Sequence, residues 1–165
     1  MKAIYLLAIL GIVSGCKKLQ NCTPDKQTYT FITGKRINVD TIKVSTSGTP
    51  FERYTTQIVN GENIVFDFTH QFKECRDIMD DERVDRVLFE VPSSASTFKW
   101  TDSAAFHAAK TFYFNIGAWG MPPLPVKSGL IEGYKIDNNR WHIKASLNVS
   151  PNGSNPINFE HDFFK

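Results

Sequence analysis

Between Trp141 and Val149 the chain alternates without a slip. Trp141, Ile143, Ala145, Leu147 and Val149 are apolar or small, and His142, Lys144, Ser146 and Asn148 between them are polar. Successive side chains of a strand point to opposite faces, so this segment forms a strand with one face in a core and one in water. On a helix the same residues would scatter around the whole circumference. Such a strand needs neighbours to satisfy its backbone and a second layer to cover its apolar face.

The rest of the chain supplies them. Residues 29–33 are β-branched and aromatic and stop at Gly34; residues 37–44 follow, and Ser47-Gly48-Thr49-Pro50 reads as a turn. Asn60-Gly61 stands between two alternating runs, 51–59 and 64–72. It predicts a hairpin, because both residues tolerate positive φ. In the second run Ile64, Phe66 and Phe68 share one face, which His70 continues, and Val65, Asp67 and Thr69 share the other. Val87, Phe89 and Val91 mark a strand stopped by Pro92, and residues 97–100 a short one. Asp102 is placed to cap a brief helix over 103–110, and residues 111–116 form another strand. Residues 130–136 and 141–149 make a hairpin around Asp137-Asn138-Asn139-Arg140, and residues 157–163 close the chain. Roughly nine or ten short strands with little helix predict an all-β fold. An antiparallel two-sheet β-sandwich fits best, with a closed up-and-down barrel as the alternative.

Residues 1–15 have another character. Lys2 is followed by an apolar stretch to Val13, and Val13-Ser14-Gly15-Cys16 closes it. The stretch is too short to span a bilayer and has the flanks of a removed secretory leader. Its ending resembles the lipobox of bacterial lipoproteins. The resemblance implies that Cys16 becomes an acylated N-terminus anchoring the protein to a membrane. One acyl chain holds only marginally, whereas the three of the lipobox family hold for good. That family keeps proteins with an aspartate after the cysteine at the inner membrane; Lys17 and Lys18 here point to the outer membrane. An ordinary secreted protein with a chance cysteine is the alternative. The expected organisation is a signal peptide over 1–15, a lipid-anchored tether over 16–27 and a single domain over 28–165.

With 19 basic and 17 acidic residues and no basic stripe, nucleic acid is not an expected partner. Thirteen phenylalanines give the material for a sizeable core. Once Cys16 is set aside, Cys22 and Cys75 remain. In an oxidising envelope they form either a disulfide or two separate buried thiols. A bridge would close a loop worth up to roughly 4 kcal/mol in the chain-entropy model.

Catalytic patterns are missing. No serine lies in a G-x-S-x-G elbow and no cysteines form C-x-x-C. Glu160-His161-Asp162 resembles a catalytic cluster, but on a strand the two acids face away from the histidine. The acids Asp77, Asp80, Asp81, Glu82 and Asp85 lack the glycine and spacing of a calcium loop and are interleaved with Arg76, Arg83 and Arg86. No catalytic residue, metal ligand or cofactor is therefore assigned, and the chain is read as no enzyme.

The segment from Trp119 through Met121 to Leu124 is the candidate binding loop. These large apolar residues sit among Pro122, Pro123 and Pro125, and a stiff loop with such anchors loses little entropy on binding. The same loop can instead fold over one end of the sandwich and seal it. Together with the lipobox-like cysteine, Gly129-Leu130-Ile131-Glu132-Gly133-Tyr134-Lys135-Ile136 leading to Trp141-His142-Ile143 resembles small envelope lipoproteins of Bacteroidota-type bacteria. The resemblance implies no activity. The expected function is a non-enzymatic, membrane-anchored module in the cell envelope that binds a protein or glycan. The alternative is a lipocalin-like carrier with a small apolar ligand inside its barrel. Metabolic labelling with a palmitate analogue is expected to mark the wild-type protein and to leave Cys16→Ser unmarked; a labelled Cys16→Ser protein rules the anchor out.

Overall fold

The computed structural model describes residues 22–46, 49–75, 82–117, 121–149 and 156–165. In chain order the elements are β1 (Cys22–Thr23), β2 (Lys26–Thr46), β3 (Thr49–Gln71), β4 (Glu74–Cys75), β5 (Val84–Pro92) and β6 (Thr97–Trp100). Helix α1 (Ser103–Ala108) follows, then β7 (Phe112–Ile116), β8 (Leu124–Pro125), β9 (Ser128–Asp137), β10 (Arg140–Asn148) and β11 (Pro156–Phe164). The fold is an all-β sandwich.

β1 and β4 form a two-stranded sheet, and the other nine strands run in the order β6-β9-β10-β11-β2-β3-β5-β7-β8. This larger sheet consists of two antiparallel halves, β6 to β11 and β2 to β8 in that order. Among the described residues a single parallel bridge joins them, Phe164 with Thr30. The halves lie face to face. Phe66 of β3 meets Trp141 of β10 edge-on at 5.5 Å and Phe163 of β11 at 5.7 Å, and Phe89 of β5 meets Phe98 of β6 at 6.0 Å. The order ends at β6 and β8, so the described strands do not close into a barrel. The interior is filled rather than hollow: Phe31, Phe66, Phe89, Phe106, Trp141 and Phe163 are fully buried in one cluster.

The alternating segment behaves as its pattern requires. Trp141, Ile143, Ala145 and Leu147 are buried in that core, and β9 and β10 form the hairpin around Asn138-Asn139. Asp102 caps α1, its carboxylate accepting from the Ala105 N–H at 2.9 Å. The strands reach back to Cys22, into the segment expected as tether. Cys22 and Cys75 are joined by a disulfide and face each other on the β1–β4 ladder.

The expected hairpin at Asn60-Gly61 is not formed. β2 and β3 are each one long strand, and they pair from Lys26 with Gln71 out to Thr46 with Thr49. Asn60-Gly61 is instead part of a wide bulge opposite Gly34, where Lys35 faces both Asn60 and Asn63. Gly34 has φ +71°, a left-handed conformation that costs other residues about 1 kcal/mol or more. The residues read as two breaks in sequence thus meet across the ladder as one irregularity.

The bulge turns the outer part of this ribbon, the arm, onto the back of the sheet. Beyond it Ile37 is fully buried against Val65 and Leu88, on the face opposite Phe66 and Phe89. The edge of the arm is pinned by side chains. The Ile37 N–H donates to Glu90 Oε2 at 2.7 Å, and Lys110 Nζ donates to the Ile37 carbonyl at 2.7 Å. Lys110 and Glu90 pair at 3.0 Å. Lys110 occupies the left-handed position after α1, at φ 45°, where glycine is usual. The ion pair and its hydrogen bonds offset that strain.

Replacing Phe66 by Ala is expected to cost about 3–5 kcal/mol in urea unfolding, the range for a large core aromatic. Ile32→Ala, on an exposed face of β2, is expected to stay within about 0.5 kcal/mol. Equal losses at the two positions would show that the layers are not held through Phe66.

Candidate functional site

A cleft of about 530 Å³ opens at the end of the sandwich where β2 begins and β3 finishes. Gln27 and His70, paired across β2 and β3, stand on one side. Val149, Pro156, Ile157 and Asn158 from the opposite layer stand on the other. Met121 and Leu124 of the proline loop form part of the wall.

The floor is polar and fixed. Asp85 is only 4% exposed. Arg83 grips its carboxylate with two bonds, Nη2 to Oδ2 at 2.8 Å and Nε to Oδ1 at 3.3 Å. The Tyr113 hydroxyl donates to Oδ1 at 2.8 Å, and Asn115 Nδ2 donates to the same oxygen at 2.9 Å. A buried carboxylate is tolerable only with partners of this kind. The bond to Asp85 holds the Arg83 guanidinium more firmly protonated than usual. Burial pushes the Tyr113 hydroxyl above its ordinary 10.0; the bond from Asn115 opposes the shift and Asp85 reinforces it. The carboxylate is an anchored acceptor rather than a free base. Arg83 also lies over the Phe72 ring at 4.5 Å, and His70 covers that ring at 3.9 Å between centroids.

Of the loop residues expected to bind, Met121 is 52% exposed on the cleft wall, whereas Leu124 lines the cleft and also packs against the core. Leu124 therefore helps to cover the core, as the sealing alternative expects, and Met121 is left exposed beside the cleft. Trp119 and Cys16 lie outside the described residues, as do Asp77, Asp80 and Asp81. The expected separation of His161 from its neighbouring acids is seen. His161 stacks on Tyr29 at 4.2 Å, while Glu160 and Asp162 meet His142 of β10 on the outer face. His142 Nδ1 lies 2.8 Å from Asp162 Oδ1, and Nε2 lies 3.5 Å from Glu160 Oε1. Lys144 bonds Glu160 at 2.9 Å and lowers its pKa. Among the described residues no group of three His, Cys, Asp or Glu is arranged to hold a metal ion.

The sequence reading did not assign Arg83, Asp85, Tyr113 or Asn115 to a site. One signal was there: Asp85 falls in phase with Val87, Phe89 and Val91, an acid on the apolar face of a strand. Compared with protein-family models, with curated proteins and with solved structures, the chain matches none.

Tyr113→Phe is expected to cost about 1–2 kcal/mol near neutral pH, leaving Asp85 one donor short. A hydroxyl with a raised folded pKa stabilises fully below its unfolded value and loses that contribution as pH rises through the folded value. The variant is therefore expected to lose less stability than wild type above pH 10.0, the unfolded reference. Parallel alkaline unfolding curves for the two proteins would overturn this.

Proposed function

We propose that this protein is a lipid-anchored envelope module, not an enzyme, that holds a peptide segment of another envelope protein in the end cleft. One observation carries the reading: apolar side chains and a rigid polar floor share one open cavity. Its volume is in the range of small-ligand sites, about 300–1,000 Å³. Met121, Leu124, Val149 and Ile157 suit an apolar side chain. Arg83 borders them and suits a main-chain carbonyl, and Asn115, whose Nδ2 already donates to Asp85 and to the Tyr113 hydroxyl, offers its Oδ1 to a main-chain N–H. A peptide fits this wall better than a glycan. Sugar rings favour an open aromatic face, and the two neighbours of Phe72, His70 and Arg83, occupy its ring.

The anchor adds a place. Cys16 precedes Cys22 by six residues, a reach of at most about 21 Å. Gln27 and His70 put the cleft at the same end of the sandwich as the disulfide. Acylated Cys16 would hold the cleft close to the membrane surface, where the outer membrane is the favoured location. The lipocalin-like carrier reading loses its support with the filled interior and open strand order.

The acylated protein in proteoliposomes is to be screened against a peptide library and envelope glycans. Peptides with one large apolar residue are expected to bind. Met121→Glu is expected to weaken them about ten-fold, as loss of an anchor does, with little change in Tm; Asn115→Ala is expected to weaken them similarly and also to lower Tm, because Asp85 loses a donor. Glycan binding alone, or peptide binding indifferent to both substitutions, overturns the reading.

A further inference from the structure

A second cavity, of about 340 Å³, lies between the arm and the region of α1, β7 and β8. Val39, Thr41 and Tyr54 of the arm form one wall, and Phe106, Phe112 and Val126 stand across from them. The Tyr54 and Phe112 rings approach to 5.6 Å and close one side. The cavity shares no lining residue with the end cleft.

Its charge is one-sided. The residues lining it include Lys127, Lys110 and His107 and no acid, although Glu52 accepts a bond from the Tyr54 hydroxyl. Lys110 is already paired with Glu90, whereas Lys127 is exposed at the rim. The wall also contains an unmet polar group. Thr111 is 1% exposed, and its hydroxyl has no hydrogen-bond partner among the described residues. Buried hydroxyls are almost always paired; this one is closed off from the open space and makes no contact with the groove's contents. Thr111 is near the cations: it follows Lys110, and its carbonyl accepts from the N–H of Val126, the neighbour of Lys127, at 2.9 Å.

We propose that this groove is a second binding site, with no lining residue in common with the end cleft, for a small amphiphilic acid. The ligand is one apolar chain or ring ending in a carboxylate. The apolar part lies between Val39 and Phe112, and the carboxylate lies toward Lys127. With a methylene taken as similar to the ~30 Å³ of a water, the space holds about ten carbons. A fatty acid of medium length meets each condition, and a cationic amphiphile of the same length does not.

The test is calorimetric titration of the full chain carrying Cys16→Ser with octanoate, decanoate, dodecanoate, dodecanol and dodecyltrimethylammonium, each below its micelle concentration. The acids are expected to bind, each added methylene tightening binding about four-fold until the groove is full. Lys127→Glu is expected to weaken dodecanoate about ten-fold and leave dodecanol unchanged. Thr111→Val is expected to leave binding of the acids unchanged with Tm unchanged or higher, because it removes an unsatisfied group that the ligand does not touch. Thr41→Trp is expected to fill the groove and abolish binding of all the amphiphiles. Thr41 is exposed; Ser103→Trp fills the groove from the other wall should Thr41→Trp fail to fold. No binding of any acid at roughly 1 mM, equal binding of the ammonium compound, or undiminished binding to a folded Trp variant each overturns the proposal.

Discussion

Phe66 is where the two layers of this sandwich become one object. Among the described residues backbone pairing joins the halves at one bridge, Phe164 with Thr30, and a single bridge does little to hold two sheets face to face. The Phe66 ring stacks on Phe89 of its own layer at 4.9 Å and meets Trp141 and Phe163 of the other layer edge-on. Edge-on contacts place the positive rim of one ring against the negative face of the next, and each adds about 0.5–1.5 kcal/mol beyond the area buried. The layers are thus held by interlocked rings, and the aromatic-rich composition is what makes so small a backbone junction sufficient. A filled interior also displaces ligand space to the margins of the fold.

How far the sequence could be read depended on what each local pattern competed against. β10 was legible because its apolar face has one solution: every inward residue belongs to the same core. Asn60-Gly61 was misread because its conformational preference suits a tight turn and a bulge alike, and the partners Gly34 and Lys35 across the ladder chose between them. Gly34 lies across the ladder, and the paired irregularities let two strands run on where each alone reads as a stop. Local propensity is a weak guide at such places, since cross-strand pairing decides the register. The exposure of Met121 was legible because proline spacing and bulk are local. The polar floor was legible only at Asp85, through its phase. Arg83, Tyr113 and Asn115 reach that carboxylate from different strands or strand ends, and no spacing along the chain encodes their meeting.

The arm shows a different economy of structure. Past the bulge, β2 has a free edge at Ile37, whose N–H and carbonyl face the core side with no strand to meet them. Glu90 and Lys110 stand in for that strand, one accepting and one donating. Glu90 is nearly buried, and its own N–H bonds the carbonyl of Ala109 at the end of α1. One residue therefore ties β5, α1 and the arm together. Without that tie, the arm would be a long two-stranded ribbon, marginal by itself.

The pleat of two short strands then explains how two cavities arise back to back. Tyr113 pairs with Leu124, and Phe112 pairs with Pro125. Because neighbouring residues on a strand face opposite ways, the first pair lines the end cleft and the second lines the groove under the arm. The wall between the cavities is a sheet edge one strand pair wide. Pro125 has no N–H to offer and suits the outermost strand, where no further ladder is needed. The prolines of the loop thus stiffen Met121 toward one cavity and end the sheet beside the other. A displacement of β8 would alter both walls at once, since Leu124 and Pro125 are adjacent on one backbone.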